Sequence, residues 1–391
     1  MLNLHFDRLG LSPFARLDRL MDGTAPGAEP IHMAIGQPQH TPPAFAADIL
    51  YAERDLFGSY PALGGTPEFR AAAAGWLARR FGLGQGLIEE DRHILPLSGT
   101  REGLFMAALI VVPDEKSGVP AVLMPNPLYH AYAGAAAAAR AEAVFLPTTR
   151  ETGFLPDLDA VSQETWARTA AFYICSPANP QGAAASLAYY EKLVGLAQAH
   201  DFVVLADECY ADIYDRTPPC SILQACAGGG LSRVLSFHSL SKRSNVPGLR
   251  SGFVAGSEDL ITRFRSLRSY GGAVPPGPTL AAAAGLWNDD AHVKANRALY
   301  REKFDIAERI LSNRFGFYRP DGGFFLWLEV GDGEAAARKL WAEAGIMVLP
   351  GSYLGQTQAD GSNPGVGYIR VALIHDAGTI GEALSSLAAV L

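Results

Sequence analysis

Short apolar runs alternate with amphipathic segments through the middle of the chain. The runs predict β-strands at AVLM (121–124), EAVFLP (142–147), AAFYIC (170–175), FVVLAD (202–207), RVLSF (233–237) and SGFVAG (251–256). Segments with helical periodicity lie between several of them, for example SLAYYEKLVGLAQAHD (186–201). Strands this apolar are typically buried on both faces, and their alternation with helices is typical of a parallel sheet. The pattern therefore predicts an α/β fold, with a mostly parallel central sheet flanked by helices.

A different pattern begins near residue 285. A long charged helix, AHVKANRALYREKFDIAERILSNRF, is followed by strand-like GGFFLWLEV, a second helix, and strand-like IMVLP and GYIRVALI. This order is typical of an α+β domain. We therefore expect three regions: residues 1–45 as an N-terminal arm and part of the small domain, 46–285 as a large domain, and 286–391 as a C-terminal small domain.

Composition and charge exclude several classes of function. The chain has 391 residues, a formal net charge of −8 and no block of Lys or Arg, so nucleic acid is not an expected partner. The four cysteines and nine histidines show no metal-ligand spacing, which predicts no metal site and a reduced, cytoplasmic protein. No apolar run is long enough to span a bilayer, so we expect no membrane association.

Polar residues follow several predicted strands, at the edge where parallel sheets bind ligands. In ILPLSGTREGLFMAAL a strand is followed by Ser98, Gly99, Thr100 and Arg101 and then by a helix. The free N–H groups and positive end of that helix would form an anion site at Gly99–Arg101. The alternative is that the Ser or Thr serves only as a helix cap.

Three further stretches extend this pattern. YICSPANPQG presents Asn179 at an Asn-Pro turn, and VVLADECY ends a strand at Asp207 with Tyr210 three residues later. A carboxylate at the end of so apolar a strand is costly unless a cation meets it, although a strand-terminal cap is an alternative reading. In SFHSLSKRSNVPGLRSGF, Lys242 follows Ser239 and precedes Arg250.

Known nucleotide and hydrolase motifs do not account for these residues. Neither G-x-G-x-x-G nor G-x-x-x-x-G-K-[ST] occurs, so a dinucleotide or a nucleoside triphosphate is not favoured. Ser239 to Lys242 matches the S-x-x-K of serine β-lactamases, but no S-x-N exists and the lone Lys-Ser-Gly precedes it. A lysine, a buried carboxylate and an anion site together match pyridoxal 5′-phosphate, which needs an amine, a partner for its ring nitrogen and phosphate donors.

The sequence resembles the fold type I pyridoxal-phosphate aminotransferases of class I/II over nearly its whole length. Within them it is most similar to the N-succinyldiaminopimelate aminotransferases of bacterial lysine biosynthesis. The matching stretches are IGQPQHTPPAF, YPALGGTPEFRAAAAGWLARRFGL, LSGTREGLF, PNPLYHAYAGAA, CSPANPQGA, DECYADIY and SFHSLSKRSNVPGLRSGF. The resemblance implies a large domain that binds the cofactor, and a homodimer with shared active sites.

The resemblance also assigns roles to particular residues. Lys242 matches the Schiff-base lysine, Asp207 the partner of the pyridinium nitrogen, and Arg370, in GYIRVAL, the arginine that binds the substrate α-carboxylate with Gly36 and Asn179 assisting. The implied catalytic residues are Lys242, Asp207 and Tyr210. The implied cofactor ligands are Gly99, Thr100, Arg101, Tyr129, Asn179, Asp207, Tyr210, Ser239, Lys242 and Arg250, together with Tyr60 of the neighbouring subunit.

The reaction implied is amino transfer between N-succinyl-diaminopimelate and 2-oxoglutarate, with small amino and 2-oxo acids as partners. Another aminotransferase of the class, or a carbon–sulfur lyase of the same fold, would keep every residue named so far. A sensor domain of a transcription regulator would need a DNA-binding module, for which we expect no room before the first sheet residues. Candidate groups for the distal substrate charges are Arg16, Arg19, Arg101 and Arg243.

Overall fold

The computed structural model describes residues 9–391 as two layered units joined across a cleft. The strands are β1 (Ile31–His32), β2 (Ile94–Leu97), β3 (Ala121–Asn126), β4 (Glu142–Pro147), β5 (Thr169–Cys175), β6 (Val203–Asp207), β7 (Val234–Ser239), β8 (Gly252–Gly256), β9 (Phe325–Glu329), β10 (Ile346–Met347), β11 (Leu349–Pro350) and β12 (Tyr368–Ala372). The helices are α1 (Pro13–Met21), α2 (Ala44–Ala52), α3 (Pro67–Phe81), α4 (Glu90–His93), α5 (Thr100–Val111), α6 (Ala131–Ala138), α7 (Gln163–Arg168), α8 (Leu187–His200), α9 (Ile222–Ala225), α10 (Leu240–Arg243), α11 (Glu258–Arg268), α12 (Gly277–Asn288), α13 (Ala291–Leu311), α14 (Gly333–Ala344) and α15 (Ala377–Val390).

The larger unit is built on a seven-stranded sheet in the order β2-β8-β7-β6-β5-β3-β4. Only β8 runs antiparallel to its neighbours, so the sheet is mostly parallel, as the sequence predicts. One face packs against α3, α8 and α12, and the other against α5, α6 and α11. Because six strands share one direction, the loops that follow them open at the same edge of the sheet.

One strand differs from the sequence prediction. The run EAVFLP forms β4 with the predicted bounds, but its residues are exposed or half-buried rather than buried on both faces. The reason is its position, since β4 pairs only with β3 and forms the edge of the sheet. Apolarity alone does not distinguish an edge strand from a central one.

The smaller unit is an antiparallel sheet, β11-β12-β9, packed against α13, α14 and α15. The N-terminal segment joins it, because β1 pairs in parallel with β10 and α1 packs against α14. Leu17, Leu20 and Met33 are buried in the same core as the C-terminal helices. The boundaries at residues 45 and 285 remain predictions. Within residues 9–391 no helix has both the length and the apolar character needed to cross a membrane.

Candidate active site

A cavity of about 400 Å³ lies between the carboxyl edge of the large sheet and the small sheet. Most of the residues that the sequence singles out line it: Gly36, Thr100, Arg101, Tyr129, Asn179, Asp207, Tyr210, Ser239, Lys242, Arg250 and Arg370. They come together because β2, β3, β5, β6 and β7 all end at this edge, while β12 supplies Arg370 from across the cleft. The chain therefore brings the predicted lysine, carboxylate, anion site and arginine to one place.

Lys242 lies on α10, a single helical turn that directly follows β7. Its Nζ donates a hydrogen bond to the carbonyl oxygen of Gly36 and lies 5.4 Å from the centroid of the Phe324 ring. Burial lowers the pKa of Lys242 to about 8, and the positive charges of Arg370 and Arg101 act in the same direction. About a tenth of the amine is therefore neutral, and hence nucleophilic, at pH 7.

Asp207 is buried at the end of β6. One carboxylate oxygen accepts from the hydroxyl of Tyr132 at 2.7 Å and the other from the backbone N–H of Cys209 at 3.3 Å. In residues 9–391 no lysine or arginine forms a salt bridge with Asp207, although the positive charge of Lys242 is near enough to favour the ionised carboxylate. Burial raises the pKa of Asp207, which leaves it suited to a cationic ligand atom.

Tyr132 is a site residue that the sequence reasoning missed. Besides its bond to Asp207, its ring stacks on Tyr173, with ring centroids 4.5 Å apart. Tyr132 lies on α6 in the stretch PNPLYHAYAGAA, three residues after Tyr129, which precedes the helix. The available signal was the close spacing of the two tyrosines in one matching stretch, and their rings meet edge to face with centroids 5.6 Å apart.

The anion site forms at the start of α5. Gly99 precedes the helix with a φ of +91°, and no side chain caps the first turn, so the capping alternative for Ser98 and Thr100 is wrong. The first N–H groups of α5 are free to bind an anion. A side chain at Gly99 would be strained at this φ and would displace the guanidinium of Arg250.

Two more groups face this helix end. Arg250 is fixed by bonds from its guanidinium to the carbonyl oxygens of Pro247 at 2.9 Å and Ser98 at 3.4 Å. Ser239 caps α10, accepting from the N–H of Ser241 at 3.1 Å. The guanidinium of Arg250, the hydroxyl of Ser239 and the N-terminus of α5 therefore line the same cavity, and together they provide the donors that a phosphate requires.

Arg370 lies on β12 and is buried. Its Nη1 donates to Oδ1 of Asn179 at 2.9 Å and its Nη2 to the carbonyl oxygen of Ala34 at 2.6 Å. Its Nε is buried and has no hydrogen-bond partner within the described residues. Burial lowers the pKa of Arg370 to about 10, and the guanidinium stays charged near neutral pH. An unpaired buried donor of this kind is satisfied when a carboxylate binds.

Tyr210 and Asn179 complete the same wall of the cavity. The Tyr210 ring contacts the edges of Phe324 and Phe325 at centroid distances of 5.6 and 5.9 Å. Burial raises the pKa of the Tyr210 phenol, so the hydroxyl is neutral and can donate a hydrogen bond. The sequence reasoning did not identify Cys175, Cys209, His130, Phe325 or Leu354, which also line the cavity. Phe14 of α1 does so too.

Several predicted residues lie away from the cavity. Tyr60 is fully exposed. Of the four arginines proposed for distal substrate charges, only Arg101 lines the cavity, where its Nε donates to the hydroxyl of Tyr129. The expectation that Arg243 serves a distal substrate charge is wrong. Its side chain is buried and pairs with Asp212 at 2.8 Å and Asp290 at 2.9 Å.

The N-terminal arginines also face elsewhere, since neither Arg16 nor Arg19 lines the cavity. The Arg16 guanidinium lies 3.9 Å from the centroid of the Tyr353 ring. No group of three or more His, Cys, Asp or Glu side chains in residues 9–391 is placed to hold a metal ion.

The chain is similar to proteins of one family over nearly all its length. The sequence profile of the family Aminotransferase class I and II matches residues 28–387. An LL-diaminopimelate aminotransferase of Syntrophobacter fumaroxidans is 33% identical over 396 residues, which cover 97% of both chains. A crystal structure of an aminotransferase from Neisseria meningitidis has a TM-score of 0.94 and 39% identity, covering 99% of each chain. A probable N-succinyldiaminopimelate aminotransferase of Thermus thermophilus has a TM-score of 0.84 and 25% identity, covering 97% of this chain and 100% of that one.

Proposed function

Because the chain belongs to the class I and II aminotransferases, a family that uses pyridoxal 5′-phosphate, we propose that it exchanges amino groups between glutamate and a diaminopimelate-type substrate. The match bears out the family, the fold class, the cofactor and the enzyme class expected from the sequence. The observation that carries the assignment of the site is the buried, unpaired Nε of the Arg370 guanidinium, which lines the same cavity as Lys242.

The cavity residues fit the cofactor. We assign its phosphate to the start of α5, with Ser239 and Arg250, and its ring nitrogen to Asp207. Asp207 is buried, and in the described residues no side chain forms an ion pair with it, so a protonated pyridine nitrogen would supply a compensating charge in direct contact. When bound, pyridoxal phosphate supplies an aldehyde and an electron-withdrawing ring that stabilises negative charge at the substrate Cα.

We assign separate roles in substrate binding and proton transfer to the side chains around the cofactor. Arg370 would bind the α-carboxylate through Nε and a second N–H, which orients Cα towards Lys242. Lys242, whose pKa is lowered to about 8, can both accept and return the Cα proton. Tyr210 and Asn179, which line the cavity, would donate to the phenolic oxygen of the cofactor ring, and Tyr129 would pack against its face.

The charges that line the cavity bear on which substrate fits. Once Arg250 is assigned to phosphate and Arg370 to the α-carboxylate, Arg101 is the one arginine left among the lining residues of the described chain. One cation suits one distal carboxylate, as in glutamate and free LL-diaminopimelate. The 33% identical relative is named as an LL-diaminopimelate aminotransferase, and LL-diaminopimelate is our first candidate.

N-succinyl-diaminopimelate is the second candidate. It is favoured by the motif resemblance and by the name of the Thermus relative. Its succinyl group adds a second distal carboxylate, which would need a donor from outside the lining residues of this chain, such as the neighbouring subunit.

A substrate panel with 2-oxoglutarate as acceptor tests the proposal. We expect LL-diaminopimelate to exceed N-succinyl-diaminopimelate in kcat/KM by at least about tenfold, the scale of one charged hydrogen bond. The reverse order would favour the second candidate. A preference for alanine, an aromatic amino acid or acetylornithine would rule out both, and ammonia released in place of glutamate would indicate a lyase.

We also propose a homodimer with shared sites. Tyr51, Phe57 and Tyr60 are all strongly exposed and lie close together in sequence, near the start of the predicted large domain. Exposed aromatic side chains grouped in this way are typical of a protein–protein interface. A second copy of the chain would cover them and bring Tyr60 to the phosphate of its partner.

A further inference from the structure

The segment from Met33 to His40 passes through the cleft between the two units. Its carbonyl oxygens accept from the two reactive side chains: that of Ala34 from Arg370 at 2.6 Å, and that of Gly36 from Lys242. At its end, Nδ1 of His40 lies 2.7 Å from Oδ1 of Asn296 on α13. Residues 33–40 therefore contact both Arg370 and Lys242 through backbone carbonyl oxygens, and the buried Asn296 amide through the His40 side chain.

The direction of the hydrogen bonds beyond His40 is fixed by Lys303. This lysine is buried, and its Nζ lies 2.6 Å from Nε2 of His40 and 3.1 Å from the carbonyl oxygen of Leu373. An ammonium group can only donate, so Nε2 of His40 must accept. The ring hydrogen is then on Nδ1, and it is donated to Oδ1 of Asn296.

The charge states of Lys303 and His40 agree with a hydrogen bond donated from Lys303 to Nε2 of His40. Burial lowers the pKa of Lys303 to about 8, so the group is still mostly protonated at pH 7. Burial and the charge of Lys303 also lower the pKa of His40, which keeps the imidazole neutral. A neutral His40 beside a protonated Lys303 lets Nε2 accept from the ammonium while Nδ1–H donates.

The Asn296 side chain is hydrogen-bonded to His40 on one side and contacts the helical turn of Lys242 on the other. Its Oδ1 also accepts from Nδ2 of Asn245 at 3.0 Å, which fills both lone pairs. Its Nδ2 faces the carbonyl oxygens of Lys242 and Arg243, at 3.4 Å each. Because α10 is one turn long, these carbonyl oxygens lack the helical partners that a longer helix would provide.

We propose that Asn296 is a positioning residue for Lys242, and that His40 and Lys303 fix its orientation. This inference rests on the proposed function of Lys242. Through Leu373, three residues beyond Arg370, the same hydrogen bonds join the turn that carries the lysine to the strand that carries the arginine. These hydrogen bonds thereby fix the position of the Lys242 amine relative to the Arg370 guanidinium across the cleft.

The test separates capture of the aldehyde from binding of the rest of the cofactor. In the apoprotein, the Lys242 amine adds to the aldehyde of pyridoxal phosphate with loss of one water, and absorbance follows the rate. Pyridoxamine phosphate carries an amine in place of the aldehyde, so it reports the phosphate and ring contacts alone. We expect Asn296→Leu to slow covalent attachment at least about tenfold, while the Kd for pyridoxamine phosphate stays within about twofold of wild type.

Two further variants complete the design. Thr169→Val removes a buried hydrogen bond to the carbonyl oxygen of Thr165, 2.8 Å long, at the opposite end of β5, and it should change neither quantity. Lys303→Met leaves Asn296 in place but removes the donor that orients His40. It should slow attachment about threefold or more, and it carries the test if Asn296→Leu does not fold.

Three outcomes would contradict a positioning role for Asn296. If Asn296→Leu attaches the cofactor at the wild-type rate, or loses attachment and pyridoxamine phosphate affinity equally, Asn296 does not position Lys242. If Asn296→Leu does not fold and Lys303→Met attaches at the wild-type rate, the inference also fails. The proposed function fails separately, if Lys242→Ala still becomes covalently labelled after borohydride reduction.

Discussion

Replacing Arg370 with lysine keeps a positive charge at the carboxylate site but removes the planar fork. The native guanidinium donates one N–H to Asn179 and one to the carbonyl oxygen of Ala34, and its buried Nε has no partner in the described residues. A lysine ammonium is a point charge on a flexible stem and cannot form two parallel bonds to one carboxylate. The variant should therefore lose at least one charged hydrogen bond to every amino acid that binds.

The expected size follows from that count. A hydrogen bond to a charged group contributes about 1.5–3 kcal/mol. At about 1.4 kcal/mol per factor of ten, kcat/KM should fall roughly tenfold to 150-fold. Since all amino-acid substrates share the α-carboxylate, the factor should be similar for glutamate, diaminopimelate and any slow substrate such as alanine.

Steady-state kinetics with at least three amino donors measures this factor. Arg309→Lys on the exposed side of α13 is the matched control and should leave kcat/KM unchanged. A loss confined to the dicarboxylic donors would refute the assignment, because it would place Arg370 at the distal charge instead. So would a variant with wild-type kcat/KM for all three donors.

Three more predictions concern the lysine, the subunit contact and the distal charge. The rate of covalent cofactor attachment to the apoprotein should rise about tenfold per pH unit up to about pH 8 and then level off, because only the neutral amine adds and burial lowers the Lys242 pKa to about 8; a rate that keeps rising to the ordinary lysine value of 10.5 would contradict this. Mixed dimers of inactive Tyr60→Ala and Lys242→Ala chains carry one intact site, so a refolded mixture should recover about a quarter of wild-type activity, and verified hybrids without activity would exclude shared sites. Arg101→Leu should lower kcat/KM at least about tenfold for dicarboxylic donors and less than about threefold for alanine, with Arg309→Leu as control; an equal loss for both would mean that Arg101 serves the cofactor alone.

Much of the fold and the order of the site residues could be predicted from local sequence. The strand predicted at residues 142–147 has the bounds of β4, and the residues that follow β2, β5, β6 and β7 meet in one cavity. This succeeds because parallel strands end at a common edge, so position along the chain translates directly into position in space.

Contacts between distant segments could not be predicted in the same way. The sequence reasoning did not foresee that the Tyr132 hydroxyl donates to Asp207, since these residues lie 75 positions apart. Arg243 was a candidate for the cavity because it follows Lys242, yet successive residues on a helix point about 100° apart. Its side chain accordingly turns away, to Asp212. The bond between His40 and Asn296 joins positions 256 residues apart, and no local pattern specifies it.

Residues 33–40 contact side chains that are synthesised much later, and this order affects how the active site forms during synthesis. Chains emerge from the ribosome starting at the N-terminus, so residues 33–40 are synthesised long before α13 and β12, whose side chains complete their contacts. The seven-stranded sheet is complete in sequence by Gly256, but Arg370 comes more than a hundred residues later. We expect a nascent chain held at that point to form the phosphate corner without the opposing wall. Firm capture of pyridoxal phosphate would then mark a finished chain, so that a truncated product is left without cofactor.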